Sequence, residues 1–308
     1  HEFRYRQATD GSECVPVLLT ALARLTGNDV EADDMMLAAV PSTLWSLTAD
    51  RHRPGSLAQS VERLGLAARA VRDQMSNDTW MVLSAIERAL LQAPERPPES
   101  KVEGDAFLAT TNNLALAGML SLSGMVAESM VRDIGWTMMD IGKRIERGLA
   151  LSALVNSTLT TARRPGAEQA VIESVLVVCE SLVIYRRRNP GKVSVAGVAE
   201  LVLFDATNPR SLVYQLERLR TDLKALPGAA GSSRPERMVD EIGARLRRIE
   251  PGDLEAVDVD GRRPELVGLL DGTHRDLREL AALVSSTHLS LPGGIQPLWG
   301  PDRRRSVP

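Results

Sequence analysis

The side chains best suited to chemistry lie close together, between Trp136 and Gly148, where Asp140, Lys143, Arg144, Glu146 and Arg147 fall within eight positions. Read as a helix, this segment has an apolar stripe of Met138, Ile141, Ile145 and Leu149. Trp136, Asp140, Lys143 and Arg147 form a second stripe. Asp140 can pair with Lys143 or Arg144 at i+3 or i+4, worth roughly 0.2–0.5 kcal/mol on an exposed face. Glu146 shares a face with Met139, Gly142, Ala150 and Ala153, and small residues there would let another helix approach. That reading partly buries Glu146, and a buried carboxylate needs a charged or hydrogen-bonding partner. Arg63 and Arg218 are the candidates. One reading is a buried ion pair that sets helix register. The other is a polar pocket in a helical bundle that binds an acidic or amide-bearing ligand. Arg69, Arg72 and Asp73 read either as a solvated helix face or as the rim of the same groove.

Other chemistries find no support in the spacing. There is no glycine-rich phosphate loop, no dinucleotide fingerprint, no nucleophile elbow and no H-E-x-x-H helix. The four histidines, His1, His52, His274 and His288, are scattered, so neither a Ser–His–Asp set nor a metal site is expected. Di-iron bundles need E-x-x-H pairs, and none occurs. Asp33-Asp34 near Glu31 reads as the acidic first turn of a helix. Catalysis by this chain alone is therefore not the leading expectation.

The elements that must hold these residues are helical. Aromatic residues make up 3% of the 308 positions while Leu, Ala and Val abound, a balance that favours helices over strands. Periodicity places helices near 12–26, 31–48, 55–75, 78–93, 102–129, 132–159, 167–188, 194–204, 209–226, 235–249 and 264–288. Pro54 and Pro209 read as first-turn prolines, with Asn208 as an N-cap, and Asn77 or Asp78 caps the next helix. Breaks are expected at Pro94, Pro97 and Pro98, at Asn189-Pro190-Gly191, along Pro227–Pro235 and at Pro251-Gly252. Residues 1–11 read as a cloning remnant and linker, and 291–308 as a flexible tail. A net charge of −3 argues against nucleic-acid binding, and the runs at Arg186–Arg188 and Arg303–Arg305 read as solvated ends. No apolar run approaches the ~20 residues of a membrane span. Cys14 and Cys179 read as buried free thiols in a reducing cytoplasm.

The sequence also matches itself. At a constant offset of 155 residues, Asp50, Pro54, Ser56, Leu57, Glu62, Arg63 and Leu64 recur as Asp205, Pro209, Ser211, Leu212, Glu217, Arg218 and Leu219. Each copy continues into an apolar seam expected to face a bundle interior: Leu57, Val61, Leu64, Ala68 and Val71 in one, Leu212, Leu216, Leu219, Leu223 and Leu226 in the other. The expected fold is all-α, a helical bundle of two related halves at about 12–130 and 131–250, followed by a helix at 264–288. The helix around Trp136–Leu151 has no counterpart in the first half, because the offset places it before residue 1. The first half is therefore expected to lack its opening helix, which the natural protein would carry further upstream.

These residues resemble a known family. Gly135-Trp136 through Gly148 is similar to the "W-x-x-x-x-[LI]-G-R-x-[LI]-E-R-A" helix of the alpha-E domain family, Pro209-Arg210-Ser211-Leu212-x-Tyr214 to its "P-R-S-x-x-Y" start, and Pro54 to Trp80 to its "N-P-S-S … A-R … R-D … W" stretch. Lys143 stands where that pattern has Arg, Gly148 where it has Ala, and Arg53-Pro54-Gly55-Ser56 where it has Asn-Pro-Ser-Ser. The resemblance spans about residues 12–290 and implies a bacterial, all-helical domain. Such domains accompany circularly permuted ATP-grasp ligases, fused to them or encoded beside them. It implies an accessory role in peptide or amide-bond synthesis, with a peptide or amino-acid substrate. ATP and Mg would belong to the ligase partner, leaving no cofactor in this chain. Glu146, Arg147, Lys143, Arg63, Arg218, Arg210 and Tyr214 then become the candidate substrate- or partner-binding residues, arginines gripping a carboxylate by forked hydrogen bonds. Two alternatives stand beside it: a catalytic domain with Glu146 as general base, and a scaffold for protein contacts.

Overall fold

The computed structural model describes residues 11–27, 40–91, 100–229 and 231–289. These form twelve α-helices: α1 Gly11–Leu25, α2 Val40–Ala49, α3 Leu57–Ala70, α4 Asn77–Leu91, α5 Lys101–Glu128, α6 Ile134–Leu159, α7 Pro165–Val178, α8 Leu182–Arg188, α9 Val195–Ala199, α10 Leu212–Ala225, α11 Arg234–Leu246 and α12 Pro264–Val284. Among the described residues there is no strand, only an isolated bridge between Thr161 and Arg262. The fold is all-α, as the periodicity implies. The expected proline breaks at 94–98, the acidic turn at Asp33-Asp34 and the tail after Leu291 lie outside the described residues.

The two copies of the sequence repeat fold alike locally, through hydroxyl caps. Ser56 Oγ donates to the Asp50 carbonyl at 2.5 Å and accepts the Gln59 N–H at 3.1 Å. Ser211 Oγ donates to the Asp205 carbonyl at 2.6 Å and accepts the Tyr214 N–H at 3.1 Å. Asp50 and Asp205 each accept the N–H two residues on, both at 2.8 Å. These serines, both fully buried, are the N-caps, so the helices begin at Leu57 and Leu212 and not at the prolines. Asn208 instead accepts the Arg210 N–H and donates to the Leu201 carbonyl, closing the loop before the helix. Ser76 likewise takes the capping position expected of Asn77 or Asp78, accepting the Thr79 N–H at 3.2 Å.

The register extends beyond the caps. The shift from Leu57 to Leu212 also carries the last residue of α3 onto that of α10, and α2 onto the span of α9 with its following π-turn, Glu200–Phe204. One expected helix is broken. The segment 167–188 divides at Glu180, which has φ 51°, while Ser181 N–H bonds to the Leu176 carbonyl at 2.8 Å. This is a helix-ending motif that glycine ordinarily occupies.

Helix α6 is the centre of the larger packing unit, lying against α1, α7, α10 and α12. Ile141, Ile145, Leu154, Val155 and Leu159 are buried there with Leu212, Leu219, Leu270 and Leu277. At Gly148 a Cβ would stand 2.7 Å from Leu277 Cδ1 and 3.7 Å from Leu212 Cδ1, so the missing methyl lets both leucines close on α6. Cys14 and Cys179 are buried thiols outside any disulfide, and burial pushes the Cys179 thiol up to about 12. A smaller core joins α3, α4 and α5 through Ala58, Val61, Ile86, Leu90 and Ala115, with Trp45 of α2 packed at a tilt against Phe107, ring centroids 5.0 Å apart.

The two apolar seams differ. All five residues of the α10 seam are buried, but in the α3 seam only Val61 and Ala68 are, and Leu64 and Val71 are exposed. The cause is coverage: α6 lies across α10, and no described helix lies across the same side of α3. Leu219→Ala should therefore cost about 2–5 kcal/mol of unfolding free energy. The equivalent Leu64→Ala should cost roughly 1 kcal/mol or less. Urea unfolding of both variants checks this, and equal losses would contradict the coverage described.

Candidate ligand-binding site on the α6–α10 seam

Four polar side chains are buried where α6 crosses α10. Asp140 is 1% exposed, Arg144 8%, Gln215 1% and Asp222 4%. Arg144 holds Asp140 with two bonds, Nε to Oδ2 at 3.1 Å and Nη2 to Oδ1 at 3.0 Å. Its Nη1 donates to Gln215 Oε1 at 3.1 Å, and Gln215 is itself anchored by donating to the Pro209 carbonyl at 2.6 Å. Lys143 Nζ approaches Asp140 Oδ1 at 2.7 Å from the solvent side. The Tyr214 ring packs against the Arg144 guanidinium at 5.7 Å, which suits a delocalised cation.

The two carboxyls share a hydrogen bond and have opposite characters. Burial alone would raise Asp140, but the bond from Lys143, the charge of Arg144 and the bond from Asp222 bring it below the usual carboxylate range. Burial, together with the bond to Asp140 and the repulsion from it, pushes Asp222 up to about 7. Of the two, Asp222 is the one that keeps a proton up to the neutral range, and below it donates to ionised Asp140. Its Oδ2 and the Nε of Arg218 are buried without a hydrogen-bond partner.

Around this pair the outer residues are mainly cationic. Arg210 bonds Glu180 at 2.6 Å, across the loop where Glu180 adopts its left-handed backbone. Ser181 beside it accepts from Asn208 at 3.3 Å, which ties the α7–α8 break to the loop that carries Arg210. Arg147, one turn along α6 from Lys143, is half-buried and makes no hydrogen bond or ion pair among the described residues. Burial, then repulsion from Arg210 and Arg144, lowers its pKa from the ordinary guanidinium value. Lys143, Arg144, Arg147, Arg210 and Arg218 therefore meet Asp140, Glu180 and Asp222, whose carboxyl is pushed up to about 7.

The structure brings Lys143, Arg147, Arg210, Tyr214 and Arg218 to this seam but leaves out two expected members. Glu146 is exposed and unpaired, because the Met139–Gly142–Ala150 face of α6 points to solvent and the close helix approach occurs at Gly148 instead. Arg63 is exposed on α3 and bonds to nothing on α6 among the described residues. Arg69 pairs with Glu87 on α4, both oxygens at 2.9 Å, away from the seam. Sequence reasoning passed over Gln215, Asp222 and Glu180. Gln215 and Asp222 had a signal, since with Leu219 they form an i, i+4, i+7 stripe on the buried side of α10. Glu180 had none. Among the described residues no group of three His, Cys, Asp or Glu side chains could hold a metal ion. Nor is any helix among them long and apolar enough to cross a membrane.

Comparison with known proteins places the sequence in a family. Residues 2–289 match Alpha-E, described as a predicted alpha-helical domain with a conserved ER motif. The chain belongs to the Alpha-E family. It is 63% identical over 317 residues to the uncharacterized proteins Rv2567 of Mycobacterium tuberculosis and Mb2597 of Mycobacterium bovis. All of this chain is covered in those matches, and it spans 36% of each relative's length. No solved structure matches. In this Alpha-E chain the Glu-Arg pair of α6 is split by the fold, Arg147 turned toward the seam and Glu146 toward solvent.

The raised Asp222 sets a pH dependence. Between its ordinary 3.8 and about 7 the folded state binds one proton more than the unfolded state. Stability should therefore fall as pH rises through that window, the stabilisation being complete below it and lost above it. Asp222→Asn keeps a neutral donor and should flatten the dependence, with a higher urea midpoint than the parent at about pH 8. Parallel midpoint curves for the two proteins between about pH 5 and 8 would show that Asp222 titrates normally.

Proposed function

We propose that this chain is an accessory helical domain of an ATP-grasp-type amide ligase system, and that it holds an acidic or amide-bearing ligand on the α6–α10 seam. The observation that carries the reading is Arg147: a half-buried guanidinium without a hydrogen bond, flanked by two further arginines. Removing a cation from water without a partner is unfavourable, and a bound carboxylate would offset that cost with forked hydrogen bonds. Arg210 and Lys143 lie near Arg147, with one charged contact each to Glu180 and Asp140. Their remaining N–H groups leave room for a second acceptor.

In this reading the ligase supplies ATP, Mg and the phosphoryl transfer, and this domain supplies affinity and orientation for the amino-acid or peptide substrate. The Mycobacterium relatives are nearly three times as long as the matched region, so each has room for a further domain on the same polypeptide. An ATP-consuming synthesis places the pair in the cytoplasm. The exposure of Glu146 weighs against the general-base alternative, because a base needs a water-poor pocket to shift its pKa and position its proton acceptor.

ADP formation by the cognate ligase, with this domain present and absent, across a panel of amino acids, tests the proposal. A domain-dependent turnover with one class of amino acid is expected. Arg147→Ala should reduce it roughly 10- to 100-fold, the loss of about 1.5–3 kcal/mol for a charged hydrogen bond. Its helical circular dichroism should be unchanged. Turnover that ignores both the domain and the substitution would leave the arginines as structural groups and favour a scaffold.

A further inference from the structure

The internal register shows what covers α10 and what is missing over α3. In the second half, α6 lies on α10 and α12 together. Gln215, Leu219 and Asp222 face it and are buried. Shifted by the repeat offset, these positions become Ser60, Leu64 and Ala67, all exposed, with Leu64 at 38%. The α10 residues Leu216 and Leu223 become Val61 and Ala68, which are buried as their counterparts are. So α3 keeps the contacts that α10 makes on one side and lacks those it makes with α6.

On α5 the corresponding side is apolar and open: Asp271 of α12, which accepts a hydrogen bond from Asn156 of α6, corresponds to Leu116, which is 56% exposed. The two leucines that close on Gly148 of α6, Leu212 and Leu277, correspond to Leu57 and Leu122. Both of these are partly buried against the α3–α5 core, in place to receive another helix. The exposed stripe on α3 and α5 is thus a groove with the walls of the α6 site and no α6.

We infer that this groove is the docking site of an α6-like helix supplied by the polypeptide upstream of α1 in the full-length protein. The offset places the counterpart of α6 immediately upstream of α1. The chain also corresponds to only 36% of the relatives it matches, so those proteins have sequence to spare. The docked helix presents a small residue to Leu57 and Leu122, as Gly148 does to Leu212 and Leu277. Ser60 and Ala67 replace Gln215 and Asp222, so its α3-facing stripe carries no buried Asp–Arg pair and is apolar.

Cysteine footprinting tests this, since Cys14 and Cys179 are buried and stay silent. Leu64→Cys and Ala67→Cys, whose counterparts Leu219 and Asp222 are buried under α6, are made separately in this chain and in the full-length gene product, and alkylation by iodoacetamide is timed. Both positions should react freely in this chain and at least ten times more slowly in the full-length product. In that product a second substitution, Leu64→Asp, places a charge where its counterpart Leu219 is fully buried and should restore the fast rate at position 67. Equal rates in the two proteins overturn the proposal. Slow labelling in this chain alone that deepens with protein concentration also overturns it, by assigning the groove to a second copy.

Discussion

The fold turns on one buried ion pair, Asp140 with Arg144, on the helix that everything else in the larger core surrounds. Placing two charges out of water costs several kcal/mol per ion unless their remaining hydrogen-bonding capacity is met. Here Arg144 spends three donors on Asp140 and Gln215, and Asp140 takes Lys143 and the proton of Asp222 as well. Those partners come from both α6 and α10, so sliding one helix along the other by a turn would leave charges bare. The aliphatic packing of Ile141, Ile145 and Leu219 in the same core tolerates small displacements. The polar contacts do not, and in this core they set the register while the leucines supply the bulk of the burial.

The repeated segments show how one cap can serve two surfaces. Asp50 and Asp205, Ser56 and Ser211, make the same bonds at nearly the same lengths, because the loop-to-helix turn needs a hydroxyl that both donates and accepts. One turn later the copies diverge. Gln215 and Asp222 build a charged seam with α6, where α3 has Ser60 and Ala67. Conformation is set by the capping residues, and chemistry by the stripe that follows. A Glu-Arg pair common to both copies therefore says little by itself: Arg218 lies at the seam and Arg63 in solvent.

That distinction explains what could be read in advance. Helix content and most helix positions followed from apolar spacing, and the serine–aspartate repeat pointed to matched turns. The helix starts were misplaced at Pro54 and Pro209 because a first-turn proline and an N-cap serine two residues on give similar local signals, and only the hydroxyl bonds decide between them. The break at Glu180 left no trace, since a left-handed glutamate in a helix-ending motif looks like any helical residue. Glu146 was misjudged because small neighbours such as Gly142 and Ala150 mark either a close helix contact or an open face. The contact is at Gly148, a residue whose lost methyl accommodates Leu212 and Leu277.

Charge gives the seam its character against the background of the whole chain. The protein is slightly acidic, at −3, yet five cationic side chains gather at one crossing of two helices. Structural need accounts for Arg144, which is saturated by Asp140 and Gln215. It does not account for Arg147, whose desolvation and like-charged neighbours both oppose folding. In the proposed role, a guanidinium held at a fixed place beside Arg210 and Lys143 receives an anion that comes and goes. That is why binding, and not proton transfer by Glu146, is the chemistry the proposed role assigns to this helix pair.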